Sequence, residues 1–330
     1  MTATAASSEF TLVVDPSHPS PQLRRAVYAI GNFDGVHLGH RAVIERTLEI
    51  ARAKGLPAAV LTFEPHPADY FAGRPVVFRL TPFAEKARAL QSTGLDGAVA
   101  LSFDASLAGL SAEIFIEQVL IERLGIGAAV IGADFHFGKD RSGSPAFLAA
   151  TGERLGFDVV ILTKIETTHN AQAEVISSSS TRRALECGDV DGAATRLGRP
   201  YEVSGVVVTG KKLGRELGVP TANVALPATN RLAYGVYAVR AVFDGKPHDA
   251  VASFGVRPTV NGVEPLLETF IFDFSGDLYG KEIAVQFFAH LRGEEKFNSL
   301  DALKAAMQND MARARSALAE RPFGVWPQIL

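Results

Sequence analysis

The sequence predicts an α/β plus β chain: a parallel, doubly wound α/β domain followed by a small six-stranded antiparallel β-barrel with a closing helix. In the first half, five short apolar runs alternate with helical patterns, and continuous apolar runs of this kind suit strands buried on both faces of a parallel sheet. After about residue 185 come six runs rich in Val, Tyr, Phe and Thr with no helix between them, the pattern of a small barrel or sandwich. A length of 330 residues leaves room for about two domains. The composition shift divides them at 1–185 and 186–330.

The first-half strands are expected at 26–31, 57–63, 97–103, 128–135 and 158–163. One helix follows His40, with Ile44, Leu48 and Ala51 on one stripe. A second begins at "TPFAEKARAL", with Thr81 as N-cap and Pro82 at the first helical position, where its missing N–H costs nothing. A third runs from Ser111 to Gly125. Strand–helix alternation of this sort implies right-handed crossovers and a parallel sheet.

Two short helical pieces, "STRRALECG" and "DVDGAATRLG", each end in glycine, as helix C-termini often do. The barrel strands follow at 203–209, 221–226, 235–243, 248–254, 264–274 and 281–291, with the Asp-Gly of "FDGK" predicting a tight hairpin turn at 243–246. The closing helix carries Leu300, Leu303, Met307 and Met311 at helical spacing. That stripe is read as core packing against the barrel, not as a ligand site.

An apolar fraction of 47% with 21% charged residues fits an ordinary globular protein. The net charge of −3 offers no bulk attraction to nucleic acid or an anionic membrane. A single cysteine, Cys187, excludes internal disulfides and fits a reducing compartment. The N-terminus lacks a basic region followed by a long apolar core. These features lead us to expect a cytoplasmic two-domain enzyme, open to weak homo-oligomerisation.

Two regions carry chemistry. The first, "GNFDGVHLGHRAVI", sits where the first strand ends and the first helix begins. In an open α/β sheet, ligands bind at the carboxyl ends of strands, and a helix N-terminus offers free N–H groups and a positive dipole end. Gly31, Gly35 and Gly39 let the backbone approach a ligand, and His37 and His40 can donate to phosphate oxygens. Neither G-x-G-x-x-G nor a Walker A sequence is present. A zinc site would need one or two further ligands beside the two histidines, so a phosphate clamp, half a metal site and an incidental pair all remain open on the residues alone.

The second region, "VVVTGKKLGRELGVPTANVAL", joins two barrel strands through Gly210, Gly214 and Gly218, interleaved with Lys211, Lys212 and Arg215. Such a loop can cradle phosphates or simply face solvent. In "LLETFIFDF", strand parity puts Glu268 on one face with Phe270, Phe272 and Phe274.

The first stretch resembles the H-x-G-H signature of the nucleotidyltransferase superfamily. Its surroundings are similar to those of the prokaryotic bifunctional riboflavin kinase/FAD synthetases, as are "LTFEPHPADYF", "IGADFHFGKDRSG" and "VISSSSTRRAL". The last resembles a Ser-Ser-Thr-x-x-Arg signature, with Ser179 at the Thr position and Arg182 at the Arg. It departs at Ser179, which keeps a hydroxyl, and at Thr181, where isoleucine is usual. "PTAN" resembles the riboflavin kinase signature, and the family more often has histidine where this chain has Phe270.

The resemblance implies a Rossmann-like nucleotidyltransferase domain that adenylates FMN and a riboflavin kinase barrel that makes it. ATP in the first domain would meet Gly31, Asn32, Phe33, Gly35, His37, Gly39, His40, Ser177, Ser178, Ser179 and Arg182. FMN would meet Phe63, Pro65, His66, Pro67 and Asp134. In the second domain, Gly210, Lys211, Lys212, Gly214, Arg215, Gly218 and Pro220 would hold ATP, and Thr221 and Asn223 would hold Mg²⁺. Glu268 would be the general base, while His37 and His40 would serve adenylyl transfer. The implied substrates are ATP and riboflavin or FMN. The alternative is a chain that keeps one activity, its other domain being a flavin- or nucleotide-binding module.

Overall fold

The computed structural model describes residues 10–169, 172–209, 220–259 and 262–321. It forms two compact units, Met1–Val77 with Thr81–Glu166, and Phe78–Leu80 with Thr167–Leu330.

The first unit is a six-stranded sheet, all parallel, built from β1 (Thr11–Val14), β2 (Val27–Ile30), β3 (Ala58–Glu64), β4 (Gly97–Ser102), β5 (Ala128–Gly132) and β6 (Asp158–Leu162). All five expected strands are present. β1 is an addition: a four-residue edge strand, alternately half-buried and exposed, too short to stand out from its polar surroundings. The spatial order is β1-β4-β3-β2-β5-β6. The chain therefore winds outward from β2 through β3 to β4 and then returns to the other side of β2 as β5. That reversal opens a crevice at the carboxyl ends of β2 and β5, the usual ligand position of such sheets.

Helices α1 (Leu38–Lys54), α2 (Pro67–Ala72), α3 (Phe83–Gln91), α4 (Ala105–Ala108), α5 (Ala112–Ile114) and α6 (Pro145–Leu155) fill the connections. Alternate strand residues feed two cores. Tyr28, Ile30, Leu61, Val99 and Ile131 pack against Phe115, Val119 and Leu148, whereas Val27, Ala29, Val60 and Val130 pack against Ile44, Ala51 and Leu90. The expected helix from Ser111 to Gly125 is α-helical only to Ile114 and continues with wider i→i+5 bonding over Phe115–Arg123. Thr81 is not the cap of α3; that position falls to Pro82, which offers no side-chain bond, because the Thr81 hydroxyl is engaged elsewhere.

The second unit opens with a two-stranded sheet, β7 (Glu166–His169) and β8 (Gln172–Val175), and helices α7 (Ser178–Glu186) and α8 (Val190–Leu197). β9 (Tyr201–Val208), β10 (Ala222–Ala225), β11 (Gly235–Phe243), β12 (Lys246–Thr259), β13 (Gly262–Ile271) and β14 (Glu282–Arg292) then close an antiparallel barrel in the order β10-β13-β12-β11-β14-β9. Phe243 pairs with Lys246 across Asp244 (φ 50°) and Gly245 (φ 71°), so the two-residue turn has the doubly positive φ that Asp-Gly favours. Tyr237, Val239, Phe254, Leu267, Val285 and Phe287 fill the barrel.

The last helix, α9 (Leu300–Ala319), lies on the outer face of the barrel. Its buried residues are Asp310, Ala314 and Leu318, of which the last two pack on Val236, Ala238, Val251, Phe272 and Phe288. Of the expected core stripe, Met311 packs on this cluster and also lines a cavity with Leu303 and Met307, while Leu300 is 61% exposed. Phe274 also departs from expectation. β13 ends at Ile271, Asp273 turns the chain with φ 56°, and Phe274 packs against the barrel interior beside Phe243.

Candidate active sites

In the first unit, β2 delivers the chain to a loop that ends on His37, the N-cap of α1. Of its two glycines, Gly31 and Gly35, only Gly35, at φ 90°, occupies the left-handed region; Phe33 and Val36 also do so, at 51° and 42°. Non-glycine residues there cost about 1–3 kcal/mol each and persist only where surroundings enforce them.

Several contacts enforce them. Gly35 N–H donates to Thr81 Oγ1 at 2.8 Å, and Thr81 N–H donates to Asp34 Oδ1 at 3.0 Å. The Asn32 carbonyl accepts from Thr62 Oγ1 at 3.1 Å and from Lys86 Nζ at 3.2 Å. Phe33 is buried and its ring lies 5.0 Å from that of His40.

The His37 and His40 rings stack, with centroids 3.6 Å apart and planes 16° apart. His37 Nδ1 accepts from the His40 backbone N–H at 3.2 Å. An accepting Nδ1 is unprotonated, so in the neutral ring the proton resides on Nε2, which becomes a donor. The helix start thus combines orphan N–H groups, a positive dipole end and an imidazole donor, a set suited to phosphoryl oxygens. Among the described residues, no three His, Cys, Asp or Glu side chains converge as metal ligands.

The end of β3 leads into the Phe63–Pro67 segment. Phe63 is buried against Phe103 and Phe115. His66 caps α2, its Nδ1 accepting from Ala68 N–H at 3.1 Å, and Pro67 opens that helix. Asp134 lies beyond the end of β5 and pairs with Lys164 at 3.2 Å. An aromatic cluster of Tyr70, Phe71 and Phe103 stands here as well, with Phe71 72% exposed. Tyr70 and Phe71 do not stand out in the sequence, because an aromatic pair on a six-residue helix carries no periodic signal.

Ser177–Ser179 and Arg182 belong to the second unit. Ser177 caps α7, forming a reciprocal box with Ser180, and Arg182 donates to the Phe78 carbonyl at 2.6 Å. Ser178 is half-buried and Ser179 exposed. Thr181 is fully buried and returns its hydroxyl to the Ser177 carbonyl at 2.9 Å.

The second site is a cavity of about 770 Å³ between α9 and the outer face of β10, β12 and β13. Asn223 is paired in register with Glu268, and Glu268 with Ser253, so three neighbouring strands present these side chains to one side. Thr221, two residues before Asn223, and Pro220 line the same cavity. Asn223 is 3% exposed; its Nδ2 donates to the Thr221 carbonyl at 3.2 Å, but its buried Oδ1 has no hydrogen-bond partner. Gly210, Lys211, Lys212, Gly214, Arg215 and Gly218 lie outside the described residues.

The opposite wall is apolar: Phe270 faces the cavity from β13, and Leu303, Met307 and Met311 from α9. Arg292 secures that helix, bonding both oxygens of buried Asp310 at 2.8–3.1 Å. The Asp310 bonds also hold the Arg292 guanidinium above its ordinary pKa. An apolar slot ending in a carboxylate and hard oxygen donors suits a flat ligand carrying an alcohol to be phosphorylated.

Comparison with known proteins finds a family for each half of the chain. Residues 20–180 match the FAD synthetase family and residues 197–318 the riboflavin kinase family. The chain is 41% identical over 300 residues to a bifunctional riboflavin kinase/FMN adenylyltransferase of Pseudomonas fluorescens, covering 91% of this chain and 95% of that one. It is 39% identical to the protein of the same name from Haemophilus influenzae, covering 89% and 94%, and 41% identical to that of Escherichia coli K12, covering 88% and 91%. A Streptococcus pneumoniae crystal structure described as a macrolide-efflux protein superposes with a TM-score of 0.81 at 29% identity, covering 92% of this chain and 98% of that one. Among the described residues no helix is long and apolar enough to cross a membrane.

Proposed function

The chain belongs to the family of bifunctional riboflavin kinase/FMN adenylyltransferases, and from that premise we propose how its residues divide the two reactions. It phosphorylates riboflavin to FMN with ATP, and it transfers the adenylyl group of ATP to FMN, giving FAD and pyrophosphate. Both families match within the one chain, so retention of a single activity is not favoured. The working division is 1–185 for adenylyl transfer and 186–330 for the kinase.

In the kinase site, the isoalloxazine packs between Phe270 and the Leu303–Met311 face of α9, with the ribityl chain running toward Glu268. The Glu268 carboxylate takes the proton of the 5′-hydroxyl as its oxygen attacks the γ-phosphorus and ADP leaves; an alcohol needs such a base. The residues fit a hard cation: Asn223 Oδ1 is buried with no hydrogen-bond partner, and Thr221 lies two residues away. Thr221 and Asn223 would hold Mg²⁺, which when bound neutralises charge on the ATP phosphates. Gly210–Gly218, with Lys211, Lys212, Arg215 and Pro220, would embrace the nucleotide.

In the adenylyltransferase, a phosphate oxygen of FMN attacks the α-phosphorus of ATP and pyrophosphate leaves. The nucleophile is already ionised at neutral pH, so catalysis reduces to in-line positioning and charge stabilisation. Gly31–His40 present His37 Nε2–H, His40 and the α1 N-terminus to the phosphates. The Phe63–Pro67 segment, Asp134 and the exposed Phe71 serve the flavin. Small molecules are its partners, with self-association no more than weak, and a lone free cysteine suits the cytoplasm.

The observation that carries this reading is the in-register Asn223–Glu268 pair with its unsatisfied amide oxygen. Glu268→Gln is expected to abolish FMN formation from riboflavin, ATP and Mg²⁺ while FAD formation from supplied FMN persists. Loss of both activities in the folded variant would sink the two-site assignment.

A further inference from the structure

Lys86 is 1% exposed, in the interior of a unit whose other buried helical positions are mostly apolar. It sits one helical turn before Leu90, on the buried face of α3, where an aliphatic side chain would avoid the desolvation of a charge. Its three N–H bonds meet three acceptors: the Asn32 carbonyl at 3.2 Å, Thr62 Oγ1 at 3.0 Å and Glu64 Oε1 at 2.5 Å. Asn32 opens the loop that carries His37 and His40. Thr62 and Glu64 are the end of β3, from which the Phe63–Pro67 segment departs. Five residues earlier in the same segment, Thr81 grips Gly35 and Asp34.

We propose that Lys86 is a positioning residue for adenylyl transfer, its ammonium fixing the nucleotide loop at Asn32 against the flavin-side strand end at Thr62 and Glu64. This rests on reading the His37–His40 loop as the adenylyl site. In-line attack needs the FMN phosphate and the α-phosphorus held in one geometry, and this one group ties together the two backbone segments that hold them. A neutral side chain of equal length would leave the Asn32 carbonyl and the Glu64 carboxylate short of a donor, and the loop would lose its register with β3. At 1% exposure Lys86 is closed off from solvent-borne substrates, so the ground-state affinities are expected to change little.

The test is steady-state kinetics of FAD formation from FMN and ATP in the full chain, with riboflavin phosphorylation and thermal unfolding followed on the same samples. Lys86→Met is expected to lower kcat by about 10- to 100-fold, the effect of misplacing reacting groups by about an ångström. KM values and riboflavin phosphorylation should stay near those of the parent. Lys86→Arg, which keeps the charge, should recover part of the loss. Thr62→Val covers a Lys86→Met chain that fails to fold, and should lower kcat on the order of fivefold, the equivalent of one hydrogen bond.

Unchanged kcat in folded Lys86→Met, or in Thr62→Val, overturns the proposal. So does a loss that appears in KM alone or that Lys86→Arg does not relieve. His37→Ala, assayed alongside, separates the two levels. If it too leaves FAD formation intact, the reading of the loop has failed; if it abolishes the reaction while Lys86→Met does not, only the role of Lys86 has failed.

Discussion

Under the proposed mechanism the two ring nitrogens of His37 have different tasks: Nδ1 caps α1 through the His40 N–H, and Nε2 would donate toward substrate. The tasks can be separated by substitution. Asparagine caps helices well, so His37→Asn should cost little in stability, whereas His37→Ala loses the cap and about 1 kcal/mol with it. Both remove the Nε2 donor, and both should lower FAD formation by roughly 100-fold or more, as loss of one preorganised donor does elsewhere. Melting curves and FMN-to-FAD rates on the two variants read these effects independently. His37, His40, Asn223 and Glu268 were legible in the sequence because each belongs to a compact motif. Thr81 and Lys86 were not, because their partners lie 22 to 54 residues away and α3 reads as an ordinary amphipathic helix.

At the scale of elements, helical spacing identified Leu303, Met307 and Met311 as sharing a face but could not say what that face meets. The helix is anchored one turn further on, by Ala314 and Leu318 and by the Arg292–Asp310 pair, leaving its first half to wall the cavity. Asp310→Ala leaves Arg292 without its carboxylate. It should cost about 3 kcal/mol, in the range for breaking a buried pair, and should raise the KM for riboflavin more than that for ATP. Differential scanning calorimetry and kinase kinetics check the two parts. The alternation from Glu268 runs as far as Phe272; past the left-handed turn at Asp273, Phe274 packs against the barrel interior beside Phe243 while still lining the cavity of Glu268 and Phe270. A single φ is invisible in an alternation of apolar residues.

At the scale of the molecule, the alternation of strands and helices revealed both architectures, while the short β1 escaped notice. Two reactions on one chain, joined only by their shared flavin, make a prediction about mixtures. Glu268→Gln and His37→Ala should each fail to convert riboflavin to FAD, and the two combined in one vessel should succeed, with a lag as FMN accumulates in solution. Chromatographic time courses decide it; a mixture that stays inactive would mean that FMN reaches the second site only within its own chain.

The chain contains three methionines, and two of them, Met307 and Met311, line the cavity proposed for the kinase reaction. On that proposal a thioether would stand beside a photosensitising isoalloxazine, open to conversion to the sulfoxide, which turns an apolar contact polar. Oxidative or light stress should therefore silence riboflavin phosphorylation before it touches FAD formation from FMN, halting flavin synthesis at its first step. A methionine sulfoxide reductase should restore it, and a Met307→Leu, Met311→Leu chain of nearly equal volume should resist. Mass spectrometry of the closing helix, read against the two rates, would follow that loss residue by residue.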